Sequence, residues 1–135
     1  MVLFICVDDR FGMCFNQRRL SRDRAVIEKM IELAEGKSIW MESYSVPLFP
    51  KASKTSVDND FLQKASAGDY CFVERVDVAR CMNRVEKLFL FHWNRKYPAD
   101  LFFPKTMLVS DWKMVESVDF PGTSHDTITM KVYIH

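Results

Sequence analysis

The sequence predicts an α/β protein with a mostly parallel central sheet that ends in an antiparallel hairpin. Strand-length apolar stretches alternate with helical stretches along the chain, which is typical of parallel sheets. Residues 1–7 and 85–93 are largely apolar rather than alternating, as in strands that are buried on both faces. Residues 112–134 instead alternate apolar with polar side chains around a short loop, which indicates a hairpin.

The first strand and the first helix carry the strongest local signals. Met1 to Val7 (MVLFICV) predicts a core strand, and the polar, glycine-containing stretch 8–19 predicts a connection of the kind that often carries function. Ser21 is the predicted helix N-cap, Asp23 lies in the first turn where the helix dipole favours a carboxylate, and Gly36 is the predicted C-cap. The apolar stripe at helical spacing consists of Val26, Ile27, Met30, Ile31 and Ala34.

The middle of the chain predicts two short strands separated by a loop and a short helix. Residues 38–41 (SIWM) predict the second strand, and residues 70–73 (YCFV) predict the third. Residues 44–57 predict a loop because they contain two prolines and several serines and lysines. Residues 58–67 predict a short helix that ends at Gly68.

The remaining chain predicts a long fourth strand followed by the terminal hairpin. Residues 85–93 (VEKLFLFHW) form the predicted strand, and residues 97–104 are predicted to be irregular. The hairpin strands are residues 112–120 and 127–134, joined by a wider loop at 121–124 (PGTS). This hairpin adds antiparallel edge strands to the parallel sheet.

Length, charge and cysteine content limit the class of protein. The chain has 135 residues, 48% hydrophobic and 27% charged, so we expect one globular domain that covers residues 1–135. The net charge of +1 argues against a dedicated nucleic-acid binder. The apolar N-terminal run is too short for a signal peptide, and no apolar stretch approaches the ~20 residues of a membrane span. Four cysteines without paired spacing predict buried, reduced thiols in a cytoplasmic protein.

Five arginines are concentrated around the predicted start of the first helix. They are Arg10, Arg18, Arg19, Arg22 and Arg24. A solvated loop and helix start account for such a cluster. The alternative is an anion, or the phosphate of a small ligand, bound beside the helix N-terminus.

Three blocks of the sequence resemble dihydrofolate reductase. Residues 2–13 (VLFICVDDRFGM) resemble the family's opening strand and its Gly-Met loop. Residues 20–29 (LSRDRAVIEK) and 37–45 (KSIWMESYS) resemble its helix start and the strand after that helix. The stretch from residue 69 to the C-terminus resembles the family's last four strands in order and approximate spacing. The resemblance implies a dihydrofolate reductase-like fold.

The chain departs from this family where the family binds NADPH. There, a strand that ends in consecutive glycines lets the backbone approach the cofactor's pyrophosphate. The matching stretch here is residues 73–76, in which Glu74 and Arg75 place bulky charged side chains. The family's second glycine is Glu42 here, and the adenosine region is contracted to residues 47–57. We therefore expect a truncated cofactor subdomain and no NADPH cofactor.

The substrate side of the family is better matched. Asp23 falls where the family keeps its active-site carboxylate, so the resemblance implies a catalytic role. Asp23 also shares a helical face with Ile27 and Ala34, which predicts burial, a raised pKa and a partner; the alternative is a first-turn aspartate exposed to solvent. Phe91 replaces the family's threonine, and Arg18 lies near the position of its pocket tryptophan, so folate itself is not the expected ligand.

The first functional hypothesis is a protein that binds a small heteroaromatic molecule of the pterin or nucleotide type. Asp23 would hydrogen-bond a pair of ligand N–H groups. Ile5, Ile27 and Phe91 would supply apolar walls. Arg18 would contact an anion. The full set of predicted ligand-binding residues is Ile5, Cys6, Met13, Arg18, Ile27, Ser45 and Phe91.

Two alternatives come from other classes of protein. One is a reductase that uses NADPH or a flavin. If Glu42, Glu74 and Arg75 face the cleft, binding of a nicotinamide dinucleotide is excluded. The other is a homo-oligomer, such as a homodimer, whose exposed sheet edge pairs with another copy.

Several aromatic residues form either a stacking platform for a base or simply the core. They are Trp40, Tyr44, Phe89, Phe91 and Trp93.

The histidines give little support to metal or nuclease chemistry. His92, His125 and His135 lack zinc-ligand spacing, so no metal site is predicted. A metal-free ribonuclease would need His92 and His125 to meet as acid and base, but the apolar strand around His92 favours a buried, hydrogen-bonded structural histidine. Ser124, His125 and Asp126 cannot form a catalytic triad among themselves because neighbours on a strand point to opposite faces. Similar short bacterial proteins are sometimes called ribonuclease Z, but that enzyme's His-x-His-x-Asp-His run is absent.

Overall fold

A computed structural model describes residues 1–135 and contains ten strands and two α-helices. The strands are β1 (Val2–Val7), β2 (Gly12–Phe15), β3 (Arg18–Arg19), β4 (Ile39–Met41), β5 (Thr55–Val57), β6 (Tyr70–Val73), β7 (Lys87–His92), β8 (Leu101–Phe102), β9 (Lys113–Phe120) and β10 (Ile128–Ile134). The helices are α1 (Arg24–Ala34) and α2 (Phe61–Lys64). Neither these helices nor the short 3₁₀ turns are long and apolar enough to cross a membrane.

Seven strands form the central sheet in the order β5-β4-β6-β1-β7-β10-β9. The pairings from β5 to β7 are parallel, whereas β10 pairs antiparallel with both β7 and β9. The predicted α/β class, with a mostly parallel sheet and a C-terminal antiparallel hairpin, is therefore confirmed. The strands β3, β2 and β8 form a separate small antiparallel sheet.

Two apolar clusters cover the opposite faces of the central sheet. Because successive side chains of a strand point to opposite faces, β1 contributes Leu3 and Ile5 to one cluster and Val2 and Phe4 to the other. The helix α1 packs its buried stripe against the Phe4 cluster. The central strand β1 is thus buried on both sides, as its continuous apolar run predicts.

The caps of α1 differ from those predicted. The N-cap is Asp23, whose side chain accepts a hydrogen bond from the Ala25 amide, so the prediction of Ser21 as N-cap is wrong by two residues. At the other end the C-cap is Glu35, with a left-handed φ of 50°, and Gly36 follows with a φ of 82°. The sequence pattern locates the helix correctly. Asp23 rather than Ser21 is the cap, because its carboxylate is also held by hydrogen bonds from residues 123–125.

Several segments predicted as loops contain short strands or turns. Residues 44–57, predicted as a loop, contain β5 and part of a 3₁₀ helix at Ser43–Leu48. The helix predicted over residues 58–67 is shorter and spans only the four residues of α2. Residues 97–104 contain β8, and residues 8–19 contain β2 and β3. These strands are short and carry no clear alternation, so tertiary pairing rather than local pattern creates them.

Candidate functional site

A cleft opens at the carboxyl ends of β1 and β6, where ligands commonly bind in open α/β sheets. The start of α1 and the residue after β7 complete its walls. The cleft and the open solvent at its mouth together contain about 360 Å³ of space that no atom occupies. Its apolar lining consists of Cys6, Met13, Leu20, Val26, Ile27, Leu48, Phe72, Val73 and Trp93, and its polar lining consists of Arg19, Ser21, Arg22, Asp23 and Glu74.

Asp23 is buried, and its carboxylate is fully occupied by the chain. One oxygen accepts hydrogen bonds from the Ala25 amide and from the amide and hydroxyl of Thr123, each at 2.9 Å. The other accepts from the amides of Ser124 and His125 at 2.8 and 3.1 Å, and from His125 Nδ1 at 2.9 Å. The predicted burial of Asp23 with a partner is therefore confirmed, and the solvent-exposed alternative is wrong. The expected hydrogen bond to a ligand N–H pair lacks a free acceptor on this carboxylate.

The same contacts decide the protonation state of Asp23. Burial raises the pKa of Asp23, but the hydrogen bonds from Thr123, His125 and Ser124 outweigh it and hold the pKa well below its usual range. The predicted raised pKa is thus wrong, because burial alone was considered and the donors of the hairpin loop were not. Asp23 is an anion at neutral pH.

His125 links this carboxylate to the cleft. Its Nδ1 lies 2.9 Å from Asp23, and its Nε2 lies 3.0 Å from Ser21 Oγ and 3.3 Å from the Tyr97 hydroxyl. Because a carboxylate only accepts hydrogen bonds, Nδ1 must carry a proton, and the Nε2 of the neutral ring is left as an acceptor for a hydroxyl. The ring is 95% buried and stacks on Trp93, with centroids 4.7 Å apart.

Gly122 lets the hairpin loop come this close to the helix. A Cβ at this position would lie 2.5 Å from Asp23 Oδ2 and 2.7 Å from the His125 carbonyl oxygen, distances that no side chain tolerates. The next residue, Thr123, also caps the helix, because its hydroxyl accepts a hydrogen bond from the Arg24 amide at 3.1 Å. The Arg24 and Ala25 amides at the start of α1 are therefore satisfied within the chain, so these two amides do not contribute to the anion site given as an alternative.

A layer of charged side chains lies beside the cleft, after β4 and β6. Arg19 donates two hydrogen bonds to Glu74 at 2.8 and 3.0 Å, and Arg75 donates two to Glu42 at 2.6 and 3.3 Å. The ring of Tyr44 lies between the two guanidinium groups, which are 4.2 and 3.9 Å from its centroid. We call these five residues the Arg–Glu layer.

The Arg–Glu layer fills the strand ends at which the sequence predicts a block to NADPH. Glu42 and Glu74 are 9% and 8% exposed, so their side chains occupy space within the protein. The sequence predicts that nicotinamide dinucleotides are excluded if Glu42, Glu74 and Arg75 face the cleft. Of these three residues, Glu74 lines the cleft, whereas Glu42 and Arg75 do not. Both carboxylates are paired with arginines, so neither presents an unpaired negative charge at these strand ends.

The structure brings together only part of the predicted ligand-binding set. Cys6, Met13 and Ile27 line the cleft with Asp23. The residues that do not line it are Ile5, Arg18, Ser45 and Phe91.

Each of these four has another environment. Ile5 belongs to the cluster on the opposite face of the sheet, because its neighbour Cys6 points to the cleft. Phe91 is fully buried in the cluster that contains Ile27, and Arg18 is exposed on β3. Ser45 is also buried, and its hydroxyl donates to Glu74 at 2.7 Å, so it supports the Arg–Glu layer.

Cys6 is the one thiol in the cleft lining, and it is unsuited to be a nucleophile. Burial raises its pKa well above the ordinary value, and the negative charges of Glu74 and Asp23 raise it further. A thiol that stays protonated is a poor nucleophile, so Cys6 acts as part of the apolar wall. All four cysteines are free thiols, and Cys6 is only partly buried.

His92 and His125 are not hydrogen-bonded to each other, and the surroundings of His92 differ from those predicted. The imidazole is 9% exposed, packs edge-on against Phe11 at 5.5 Å, and has no hydrogen-bond partner at Nε2. The prediction of burial is confirmed, but the prediction that hydrogen bonds satisfy the ring is wrong for this nitrogen. Burial and the nearby Lys131 lower the pKa of His92 to about 4.

The local sequence pattern does not indicate the partners of Asp23. The predictions for His125 concern His92 and its neighbours in sequence, yet it contacts a residue 102 positions away. Ser21 is predicted as the cap, and Tyr97 lies in a stretch predicted to be irregular. The available signal was the Pro-Gly pair before Thr123, which marks a turn that can bring a backbone close to another segment.

The fold and the cleft define an α/β protein whose candidate site lies at the carboxyl ends of parallel strands. Among solved structures, the chain is similar to a dihydrofolate reductase from Enterococcus faecalis complexed with NADP(H) and RAB-propyl, with a TM-score of 0.69 and 11% sequence identity. The match covers 98% of this chain and 94% of that one. No family model and no curated protein matches the sequence. The chain therefore has the dihydrofolate reductase-like fold that the resemblance predicts.

Proposed function

We propose that the protein binds a small planar heteroaromatic molecule of the pterin or nucleobase type in the cleft, without acting as an NADPH-dependent folate reductase. The observation that carries this proposal is the lining of the cleft, in which nine apolar residues accompany Arg19, Glu74 and the consecutive polar residues 21–23, which we call the polar end. Ligand sites in proteins usually combine apolar walls with a few polar groups in this way.

The walls suit a flat ring. Trp93 and Phe72 contribute aromatic surface, and Met13 and Ile27 contribute flexible and branched aliphatic surface. The cleft is narrow, with about 20 Å³ open to the centres of water-sized molecules. A single ring system fits a site of this size better than a dinucleotide does.

The polar end favours a ligand that carries hydrogen-bond acceptors. Arg22 lines the cleft with an exposed guanidinium, and it forms no salt bridge, unlike Arg19, Arg24 and Arg75. The Ser21 hydroxyl lies beside it. We therefore assign recognition of the ligand's carbonyl or ring-nitrogen edge to Arg22 and Ser21, in place of the N–H pair recognition predicted for Asp23.

The Arg–Glu layer supports the exclusion of NADPH. Recognition of a pyrophosphate by a side chain needs an unpaired cation, and neither Arg19 nor Arg75 is unpaired, because each is bound to a carboxylate by two hydrogen bonds. Opening this layer would leave two buried charges without partners, which is costly.

A thermal-shift panel tests the proposal with biopterin, guanosine, folate, flavin mononucleotide and NADPH as probes. A ligand at about 100 times its Kd stabilises the folded state by about 2.7 kcal/mol, which raises the Tm by several degrees. We expect a shift with biopterin or guanosine and none with NADPH.

Two arginine variants provide a matched comparison for this panel. Arg22→Ala should remove most of the shift, whereas Arg24→Ala should keep it, because Arg24 is exposed but does not line the cleft. A shift with NADPH, or no shift with any heteroaromatic probe, would reject the proposal.

Self-association is a second candidate, because β9 is an open edge of the central sheet. All eight of its residues are at least partly exposed, including Met114, Val115 and Val118, which are 50%, 48% and 38% exposed. An unpaired strand with apolar side chains is a template for pairing with a second copy. Light scattering after gel filtration should then show a dimer that Val115→Lys dissociates, while Val109→Lys, outside β9, leaves it intact. A monomer at high protein concentration would exclude this candidate.

A further inference from the structure

We propose that Ser21, His125 and Asp23 form a nucleophilic relay that transfers the acyl group of a small carboxylic ester with an aromatic portion. The inference rests on the proposed function in one respect, because the cleft must admit a small aromatic molecule. It goes further in assigning a reaction to the polar end of that cleft.

The first argument is the geometry of the three side chains. Ser21 Oγ lies 3.0 Å from His125 Nε2, and His125 Nδ1 lies 2.9 Å from Asp23 Oδ2. These two contacts join a hydroxyl, an imidazole and a carboxylate in the order that activates a serine nucleophile. The side chains of His125 and Asp23 are 2% and 0% exposed, whereas Ser21 is half-buried and lines the cleft. The nucleophile is therefore the accessible member.

The second argument is the tautomer of His125. Asp23 accepts the proton of Nδ1, so the lone pair of Nε2 points to the hydroxyls of Ser21 and Tyr97. Ser21 is the closer of the two, at 3.0 Å against 3.3 Å. Asp23 in turn is held by its other five hydrogen bonds, so it is a positioning residue that fixes the direction of the ring.

The third argument concerns the charge that develops on the substrate. The backbone amides of Ser21, Arg22 and Asp23 donate to no acceptor in the chain, although all three residues line the cleft. Unpaired amides beside a serine hydroxyl are the donors that stabilise the oxyanion of an acyl-transfer intermediate. The Arg22 guanidinium adds a positive charge at the same end of the cleft.

The proposed step balances without a further reagent. Ser21 Oγ attacks the ester carbonyl carbon while its proton passes to His125 Nε2. The bond between the carbonyl carbon and the alcohol oxygen then breaks, and Nε2 returns the proton to the departing alcohol. A water molecule, deprotonated by the same nitrogen, then attacks the acyl carbon. The bond between this carbon and Ser21 Oγ breaks, Nε2 returns the proton to Oγ, and the carboxylic acid leaves.

The test uses an alkyl fluorophosphonate as a covalent probe and p-nitrophenyl acetate as a substrate. Attack of Ser21 on phosphorus expels fluoride, so the protein should gain the mass of one adduct in intact-protein mass spectrometry. Ser21→Ala should abolish the adduct, while Ser124→Ala, which changes a nearby hydroxyl outside the relay, should retain it. His125→Gln should slow labelling and ester hydrolysis by about 100-fold or more, which is the usual contribution of a general base.

Two further variants separate catalysis from structure. Tyr97→Phe removes the hydroxyl that competes with Ser21 for the lone pair of Nε2, so labelling should be faster than in the unmodified protein. Asp23→Asn should move the His125 proton to Nε2, which ¹⁵N chemical shifts of the imidazole report independently of activity. Ser21→Ala removes one partly exposed hydroxyl, so the Tm of this variant should lie within about 2 °C of that of the unmodified protein. Its loss of labelling would then not result from unfolding.

The outcomes for the two proposals are distinct. Unlabelled protein, or equal labelling of Ser21→Ala, overturns the relay even if biopterin or guanosine raises the Tm. Labelling at Ser21 without any thermal shift supports the relay and rejects the heteroaromatic ligand class.

Discussion

Two groups of buried carboxylates in this protein are stabilised in different ways. Asp23 receives six hydrogen bonds, five of them from the hairpin loop at residues 123–125. Glu74 and Glu42 each receive two hydrogen bonds from an arginine guanidinium, with one more from Ser45 to Glu74. The first arrangement leaves a net negative charge and orients a histidine. The second cancels charge and fills space.

This difference has functional consequences. A carboxylate held by neutral donors keeps its negative charge available to a neighbouring imidazole, as Asp23 does for His125. A carboxylate bound by a guanidinium has little charge left to act on a ligand. Asp23 therefore keeps its negative charge beside His125, whereas arginines pair with the carboxylates of the Arg–Glu layer.

The largest expected effect is the loss of Asp23. Asp23→Ala removes the cap of α1 and leaves the amides of residues 123–125 without acceptors in a buried site, so we expect a loss of about 4 kcal/mol in unfolding free energy. Urea denaturation measures this loss. The control is Asp126→Ala, an exposed neighbour that should change stability by less than about 0.5 kcal/mol. Equal effects of the two substitutions would show that the six hydrogen bonds contribute little.

The second effect is a dependence of stability on pH that arises from His92. Burial and Lys131 lower its pKa from 6.5 to about 4, so between these values the unfolded chain binds a proton that the folded chain does not. Stability should therefore fall as the pH drops from 6.5 to 4, by about 3 kcal/mol for a shift of this size. Below pH 4 both states are protonated, and this loss ends. Urea denaturation at pH 7 and pH 4.5 measures it.

A histidine comparison checks the origin of that pH dependence. His92→Leu should lose much less stability between pH 7 and pH 4.5 than the unmodified protein, whereas His135→Asn, at an exposed position, should lose as much. Asp23 affects stability in a lower range of pH. Its pKa in the folded state lies below the ordinary 3.8, so its contribution is present above pH 3.8 and is lost as the pH falls further. An identical pH profile for His92→Leu would contradict the assignment to His92.

The smallest effect distinguishes the two ion pairs of the Arg–Glu layer. Glu74→Ala leaves the Ser45 hydroxyl and the Arg19 guanidinium without an acceptor, and Arg19 is only 22% exposed, so we expect a loss of about 2 kcal/mol. Glu42→Ala should cost about half as much, since Arg75 is 25% exposed and also donates to the Gln17 carbonyl.

The control for this pair is the removal of both charges at once. Replacing Arg19 and Glu74 together by Met and Leu should be milder than Glu74→Ala, because no unpaired charge remains. If the double replacement is the more damaging, the layer contributes stability through its charges rather than through the space it fills.

The sequence predicts the sheet well because its strands carry strong local patterns. The stretch YCFV predicts β6 with its observed ends, and the continuous apolar run MVLFICV predicts the buried β1. The short strands β5 and β8 were missed, because two or three residues carry no periodicity and pairing with distant strands creates them.

The site was predictable only in part for a related reason. The helix start and the resemblance both direct attention to Asp23, and the cleft does form around it. Its role depends on His125, whose contact with Asp23 spans 102 residues and follows from the docking of a loop. Ile5 shows the opposite error, since it lies one residue from a cleft residue and therefore on the other face of the sheet.

The loop that follows Gly122 has a consequence for how the protein matures. Five of the six hydrogen bonds to Asp23 come from residues 100 to 102 positions later in the sequence. During synthesis water therefore hydrates the Asp23 carboxylate until the hairpin of β9 and β10 docks. The contact between Asp23 and His125, on which the proposed relay depends, arises only in that docking, so a chain cut between α1 and residue 123 cannot hold it by covalent connection alone.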